Sequence, residues 1–383
     1  MNYKKFLGFS LISAAILCAA LNAEAIETKA KNAILIDAAT GEYLYTKDHK
    51  RMVPPASMSK LMTVYMIFDK LQDGSLSLDD TFTVSENAWR KGGAATGGST
   101  MFLKIGQKVR VEDLLKGILI QSGNDACIVA AENISGSEED FASQMNIKAR
   151  QLGLNNSSFA NATGLPDPDH RMSVEDLAKL SKIIIERFPE FYHLFSEKNF
   201  TYNGIKQGNR NPLLYSMSNA DGLKTGHTEE AGFSLTASAK KGDRRLIEVM
   251  TGMKSNKERS EEAEKLMSWG FREFNNYKIF EAGQTIAEVP VWFGTQPTVT
   301  LKIGKDVVKT LPRNKADETK LVAVYKKPFP APITKGEQLG VVKIEVPGME
   351  TAEVPLYAAE NIAKQGFFSR IITNLKYLLF GAE

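Results

Sequence analysis

The stretch Pro54-Pro55-Ala56-Ser57-Met58-Ser59-Lys60-Leu61-Met62-Thr63-Val64-Tyr65-Met66-Ile67-Phe68-Asp69-Lys70-Leu71 decides how this chain is read. From Met58 onward it is apolar nearly all round, a pattern that predicts a helix buried on every side rather than one lying on a surface. Two prolines suit the rigid entry to a helix, because its first N–H groups have no intrahelical acceptor. Ser57 is then expected in the first turn. Ser57 and Lys60 are three residues apart, so they share a face and can touch. A serine hydroxyl is a weak nucleophile until a base takes its proton, and a lysine becomes that base when burial lowers its pKa. The helix N-terminus favours negative charge beside Ser57. Alone the pair proves little, since a capping serine and a solvated lysine explain the same spacing.

Working outward, residues 33–37 and 43–47 read as a hairpin turning at Ala39-Thr40-Gly41. Residues 111–121 and 174–187 read as helices. A second hairpin is expected over 233–239 and 245–251, turning at Lys241-Gly242-Asp243, followed by a helix over 257–271. Strands first, helices next and strands late predict an α+β domain over residues 26–280 whose sheet is closed by both of its ends. Between Val289 and Pro355 lie eight of the 14 prolines, with period-two runs at 298–303 and 342–346. This predicts a small all-β domain over residues 281–360, with proline at strand edges. Its charged pairs, such as Asp317-Glu318 and Lys326-Lys327, read as solvated faces, and its expected role is that of a spacer.

The chain has 383 residues, 48 basic and 45 acidic, for a formal charge of +3. That balance gives no reason to expect a nucleic acid partner. Residues 1–25 read as a secretory signal: basic Lys4 and Lys5, an apolar run, then Ala23-Glu24-Ala25 as the cleavage pattern. Its apolar run is short for a membrane span. Bulky Ile16 and Leu17 before Cys18 disfavour a lipoprotein signal. Cleavage after Ala25 would lower the charge to +2 and leave Cys127 as the one remaining cysteine, an inert buried thiol in an apolar stretch. At the other end, Phe367, Phe368, Ile371, Ile372, Leu375, Leu378 and Leu379 fall on one helical face. Roughly 17 residues of helix reach only about 25 Å, too short to span a bilayer. Residues 361–383 are therefore expected to lie in a membrane interface, the alternative being a helix docked on the protein's own core.

Two further clusters carry chemistry. Ser122-Gly123-Asn124 follows the 111–121 segment and is also compatible with an ordinary turn between helices. Lys224-Thr225-Gly226 sits in Asp221-Gly222-Leu223-Lys224-Thr225-Gly226-His227-Thr228, where glycines permit close backbone approach and Lys224 offers a cation to a carboxylate or phosphate. The alternative is a loop with an exposed lysine, and the spacing is wrong for a phosphate-binding P-loop. His49, His170, His193 and His227 show no metal-ligand spacing, and no G-x-S-x-G elbow is present. The reading therefore calls for no metal and no cofactor.

In this order, S-x-x-K, S-x-N and K-T-G form the set of penicillin-binding proteins and class A β-lactamases. The chain resembles the D-alanyl-D-alanine carboxypeptidases, the low-molecular-mass penicillin-binding proteins. Gly153-Leu154, Phe159-Ala160-Asn161, Gly164-Leu165, His170-Arg171-Met172-Ser173, the run from Lys224 to Gly232, and Trp269-Gly270-Phe271 extend the likeness over nearly the whole chain. The resemblance implies a β-lactamase/transpeptidase-like α+β domain, an antiparallel sheet flanked by helices, then a small all-β domain and a C-terminal amphipathic helix. It implies removal of the terminal D-alanine from peptidoglycan stem peptides through an acyl-enzyme, with β-lactams as covalent inhibitors. Ser57 would be the nucleophile, Lys60 its base, and Ser122 a proton relay. Asn124, Lys224, Thr225, Gly226 and His227 would bind substrate. Arg210 and Arg259 would line the cleft, unless they are ordinary surface arginines. A periplasmic enzyme attached to the outer face of the inner membrane is implied as well. S-G-N instead of S-D-N, and the lack of any Glu in residues 155–166, favour peptidase over β-lactamase. A serine β-lactamase, a D,D-endopeptidase and a non-catalytic cell-wall binding protein remain as alternatives.

Overall fold

The computed structural model describes residues 26–380; the segment read as a signal lies outside the described residues. Strands β1 (Asn32–Asp37) and β2 (Tyr43–Lys47) form the first expected hairpin. Strands β3 (Ala220–Thr228), β4 (Gly232–Lys241) and β5 (Arg244–Met253) come some 170 residues later in the sequence, and the sheet runs β2-β1-β5-β4-β3, antiparallel throughout. The two ends of the domain thus meet at the β1–β5 pair, as the order of the elements predicts.

Alternation along these strands sorts side chains onto two faces. Ile34, Ile36, Ile247 and Val249 join a large core with helices α1 (Lys60–Gln72), α2 (Val111–Lys116), α3 (Asn124–Ser135), α4 (Glu138–Gln151) and α5 (Val174–Arg187). Ala33, Leu35, Leu246 and Met250 face the other way, onto Ala263, Leu266 and Met267 of helix α6 (Asn256–Glu273). Helix α1 is the central piece: every residue from Lys60 to Phe68 is buried, so its all-round apolarity is matched by an all-round environment. Helices α4, α5 and α6 each start with a serine, Ser137, Ser173 or Ser255, whose side chain accepts the backbone N–H three residues on.

The structure differs from the sequence reading at the start of α1. Ser57 lies in a separate 3-10 turn, Ala56–Ser59, and the α-helix begins at Lys60. Ala56 takes φ +48°, and the Ser59 hydroxyl donates back to the Ala56 carbonyl at 3.1 Å. At three residues per turn, positions i and i+3 are eclipsed, so Ser57 and Lys60 face the same way more directly than in an α-helix.

Past α6 come β6 (Phe274–Phe280), β7 (Thr285–Trp292), β8 (Thr298–Ile303), β9 (Val307–Pro312), β10 (Lys320–Tyr325), β11 (Phe329–Pro330), β12 (Gln338–Glu345) and β13 (Ala352–Ala358). Six of them form a sheet in the order β10-β12-β13-β8-β7-β11, while β6 pairs with β9. Val289, Val299, Leu301, Ile303, Val342, Ile344 and Leu356 make its separate core. Phe280 packs into that core, so β6 associates with the all-β unit. Helix α7 (Phe367–Phe380) follows, with Phe367, Phe368, Ile371, Ile372, Leu375 and Leu379 exposed. Among the described residues no helix is long and apolar enough to cross a membrane.

Candidate active site

The three sequence clusters converge where β3 passes the Ala56–Ser59 turn. A cleft of about 810 Å³ opens there, and Ser57, Ser122, Thr225, Gly226, His227, Arg210 and Arg259 line it. Gly226 is needed for the approach: a Cβ on it would stand 2.9 Å from the Pro55 carbonyl oxygen.

Lys60, Asn124 and Lys224 lie just behind this lining, buried. Lys60 Nζ is 2.9 Å from Ser57 Oγ, 2.8 Å from Asn124 Oδ1 and 2.5 Å from the Thr163 carbonyl oxygen. Burial pushes the Lys60 pKa from 10.5 down to about 8, with Arg210 adding to the shift and Asp125 opposing it. Lys224 Nζ donates to Ser122 Oγ at 2.9 Å and to the Thr225 carbonyl at 3.1 Å. Burial, then the nearby positive charges of Lys60 and Arg210, hold its pKa well below the ordinary lysine value. Ser57 and Ser122 are thus each bonded to a buried lysine that gives up its proton easily.

Ser122 owes its position to irregular backbone. After α2 the chain widens into a π-helical turn, Gly117–Gln121, and Ser122 then takes φ +60° before α3 starts at Asn124. The triplet is both the inter-helix turn and part of the cleft. Such π turns recur at functional sites.

Arg259, on α6, is buried, and its guanidinium donates to Asn256 Oδ1 at 2.5 Å and sits over the Phe233 ring. Burial, with Arg210 nearby, lowers its pKa to about 10. Its alternative as a surface arginine does not fit. Arg210 stands exposed at the rim, donating to Ser99 Oγ at 2.6 Å. His227 is exposed and packs its ring on Phe233, with centroids 4.0 Å apart. Cys127 is buried and free, and burial pushes its thiol up to about 12, which makes it inert.

Sequence reasoning missed the supports. Thr163 contributes a carbonyl, which no side-chain pattern reveals. Its loop is shaped by Asn161 Oδ1, which accepts from the backbone of Thr163 and Gly164 and from the Thr163 hydroxyl. Asp125 is buried and accepts from the Thr100 hydroxyl and from the N–H of Met101, Leu103 and Ala126. It thereby ties the Ser99 loop to the start of α3. The Gly97-Gly98-Ser99-Thr100 run was the available signal for that loop.

A family profile described as D-alanyl-D-alanine carboxypeptidase matches residues 19–255. The chain belongs to this family. It is accordingly a serine-type D-alanyl-D-alanine carboxypeptidase, a hydrolase of the penicillin-binding class. A second profile, the C-terminal domain of penicillin-binding protein 5, matches residues 274–364. The chain is 40% identical over 351 residues to the D-alanyl-D-alanine carboxypeptidase DacC of Escherichia coli strain K12, covering 91% of this chain and 88% of that protein. The crystal structure of penicillin binding protein 5 from Haemophilus influenzae superposes with a TM-score of 0.79 at 37% identity, covering 89% of this chain and 99% of that one. Penicillin-binding protein D2 from Listeria monocytogenes, solved in an ampicillin-bound form, gives 0.56 at 29% identity over 65% of this chain and 99% of that one. The α+β penicillin-binding domain followed by an all-β domain is therefore the family's architecture, as the resemblance implied.

Proposed function

We propose that Ser57 is the nucleophile of this carboxypeptidase and Lys60 its general base. The observation that carries the reading is the 2.9 Å contact between Ser57 Oγ and a lysine whose pKa lies near 8. Neutral Lys60 takes the Ser57 proton as Oγ attacks the carbonyl between two terminal D-alanines of a peptidoglycan stem peptide. The oxyanion that forms is received by the backbone N–H groups of Ser57 and the His227 region, on the edge strand β3. Ser122 passes a proton to the leaving nitrogen, the C–N bond breaks, and D-alanine departs. Water then cleaves the Ser57 ester, and Oγ recovers its proton. A β-lactam acylates Ser57 the same way, but its leaving nitrogen stays tethered in the same molecule.

Asn124 orients Lys60. The substrate carboxylate restores the proton on Lys224 by supplying the opposite charge, while Arg210 and Arg259 add fixed cations and Thr225 a hydroxyl. Gly226 lets the strand come close enough for an extended peptide to pair along β3.

The decisive test is labelled penicillin together with a D-Ala-D-Ala-terminated peptide, wild type against Ser57→Ala. The expected result is a covalent adduct on wild type and its absence, with D-alanine release down at least about a thousandfold, in the variant. An adduct elsewhere, or D-alanine release that survives, overturns the reading.

The signal pattern of residues 1–25 supports export, and the exposed apolar side chains of α7, with basic Lys364 and Arg370 close by, support peripheral attachment, hence to the outer face of the inner membrane. Removing residues 364–383 is expected to move the protein from the membrane to the soluble fraction with penicillin acylation intact. Retention on the membrane would sink the anchor.

A further inference from the structure

The turn that presents Ser57 is bounded from behind. Ala56 takes φ +48°, a conformation an alanine adopts only where its surroundings impose it. One wall is Gly164, at φ +76°, where a Cβ would stand 2.1 Å from the Ala56 carbonyl oxygen. Another is the bridge in which Val53 and Met172 exchange backbone hydrogen bonds at 3.0 Å.

Between these walls lies a space of about 10 Å³ bordered by Pro54, Pro55, Ala56, Gly164, Asp167 and His170. That is about the smallest space that accepts one water. His170 is buried and its Nδ1 accepts the backbone N–H of Ala160 at 3.2 Å, so the ring proton rests on Nε2. Nε2 is itself buried and has no protein acceptor among the described residues. Burial, with Lys60 and Arg171 adding to it and Asp167 opposing, lowers the His170 pKa to about 4, so the ring is a neutral N–H donor at working pH. A buried donor without an acceptor is costly, and a water is the acceptor that fits this space. Pro54 and Pro55 border the same space and have no N–H, so toward such a water they offer carbonyl oxygens only, that of Pro55 already accepting from the Met58 N–H at 3.2 Å.

We propose that His170 is a positioning residue for acylation: through Nε2–H it holds one water against the carbonyls of the 54–56 turn and so fixes the backbone that presents Ser57. The inference rests on the reading of Ser57 as nucleophile. No contact between His170 and substrate is involved.

Three variants separate the ring's two nitrogens. His170→Asn keeps an acceptor for Ala160 and loses the far donor. His170→Gln sets an amide N–H near the position of Nε2. His170→Leu has neither. The readouts are the acylation rate with labelled penicillin, kcat and KM for D-alanine release, and the melting temperature. His170→Asn is expected to acylate about tenfold slower with kcat reduced alike, KM within about twofold and melting close to wild type. His170→Gln is expected within about threefold of wild type in rate. The proposal is overturned if His170→Asn acylates at the wild-type rate, or if His170→Gln, folded and still forming its adduct at Ser57, is no faster than His170→Asn. A wild-type protein that forms no adduct at Ser57 overturns the reading of the site itself, which is a different failure.

Discussion

Before residue 263 the interior contains Asp37, Lys60, Asp125, Asp176, Lys224, Glu248 and Arg259 among its buried side chains, whereas past residue 274 the only buried polar side chain among the described residues is Thr310. Even Thr310 faces the first unit, sharing a hydrogen bond with Thr40. Burying charge is expensive unless each group is partnered, so a unit that acts only as a support has no reason to do it. In the first unit some of the cost is answered locally: Asp125 has four donors, and Asp37 pairs with Arg244 at 2.8 Å. Lys60 and Lys224 are answered by lowered pKa values that bring the neutral amine within reach, and that readiness is the chemistry. Glu248 is answered by loss of charge alone, since both its carboxyl oxygens are without a partner among the described residues and burial holds its pKa well above 4.5.

The contrast can be broken most sharply at Lys60. With a pKa of about 8 and a requirement for the neutral form, acylation by penicillin should rise about tenfold per pH unit up to pH 8 and flatten above it. Between pH 6 and the plateau the expected change is about a hundredfold, and a flat profile over that range would remove Lys60 as the base. Next in size, Leu301→Ala in the β core should cost about 2–5 kcal/mol of that unit's stability and leave acylation within about twofold. Calorimetry and penicillin labelling on one sample check it, and parallel loss of both would show that the second unit is more than a support. The smallest effect is expected at Glu248. Burial first, then Glu262, raises its pKa well above 4.5, so the folded state keeps a proton that the unfolded chain releases. Stability contributed there is present at low pH and lost as pH rises above about 4.5. Glu248→Gln should therefore raise the melting temperature at pH 8 by a few degrees, about 1–3 kcal/mol, and change little at pH 4. Equal gains at both values would mean that proton release plays no part.

The sequence exposed those features that live in side-chain pattern. The hairpins, the fully buried α1 and the order of the three clusters were readable because period and residue type carry them. Thr163 was not, because a carbonyl is common to every residue and only the Asn161 turn aims it at Lys60. Nor was the 3-10 turn holding Ser57, since it depends on the backbone at Ala56, where the residue type suggests nothing unusual. Glu248 was not readable for another reason. Within a strand, an isolated carboxylate normally points to solvent, but β5 is central and covered on both faces.

The pairing of β1 with β5 also governs when the enzyme can exist. Ser57 and Lys60 leave the ribosome early, yet the sheet that carries Lys224 is incomplete until Met253 has been made. At usual translation speeds that interval is roughly ten to forty seconds. Throughout it the long apolar helix has neither its sheet nor its catalytic partners, so the nascent chain must stay unfolded or be shielded until its late strands arrive.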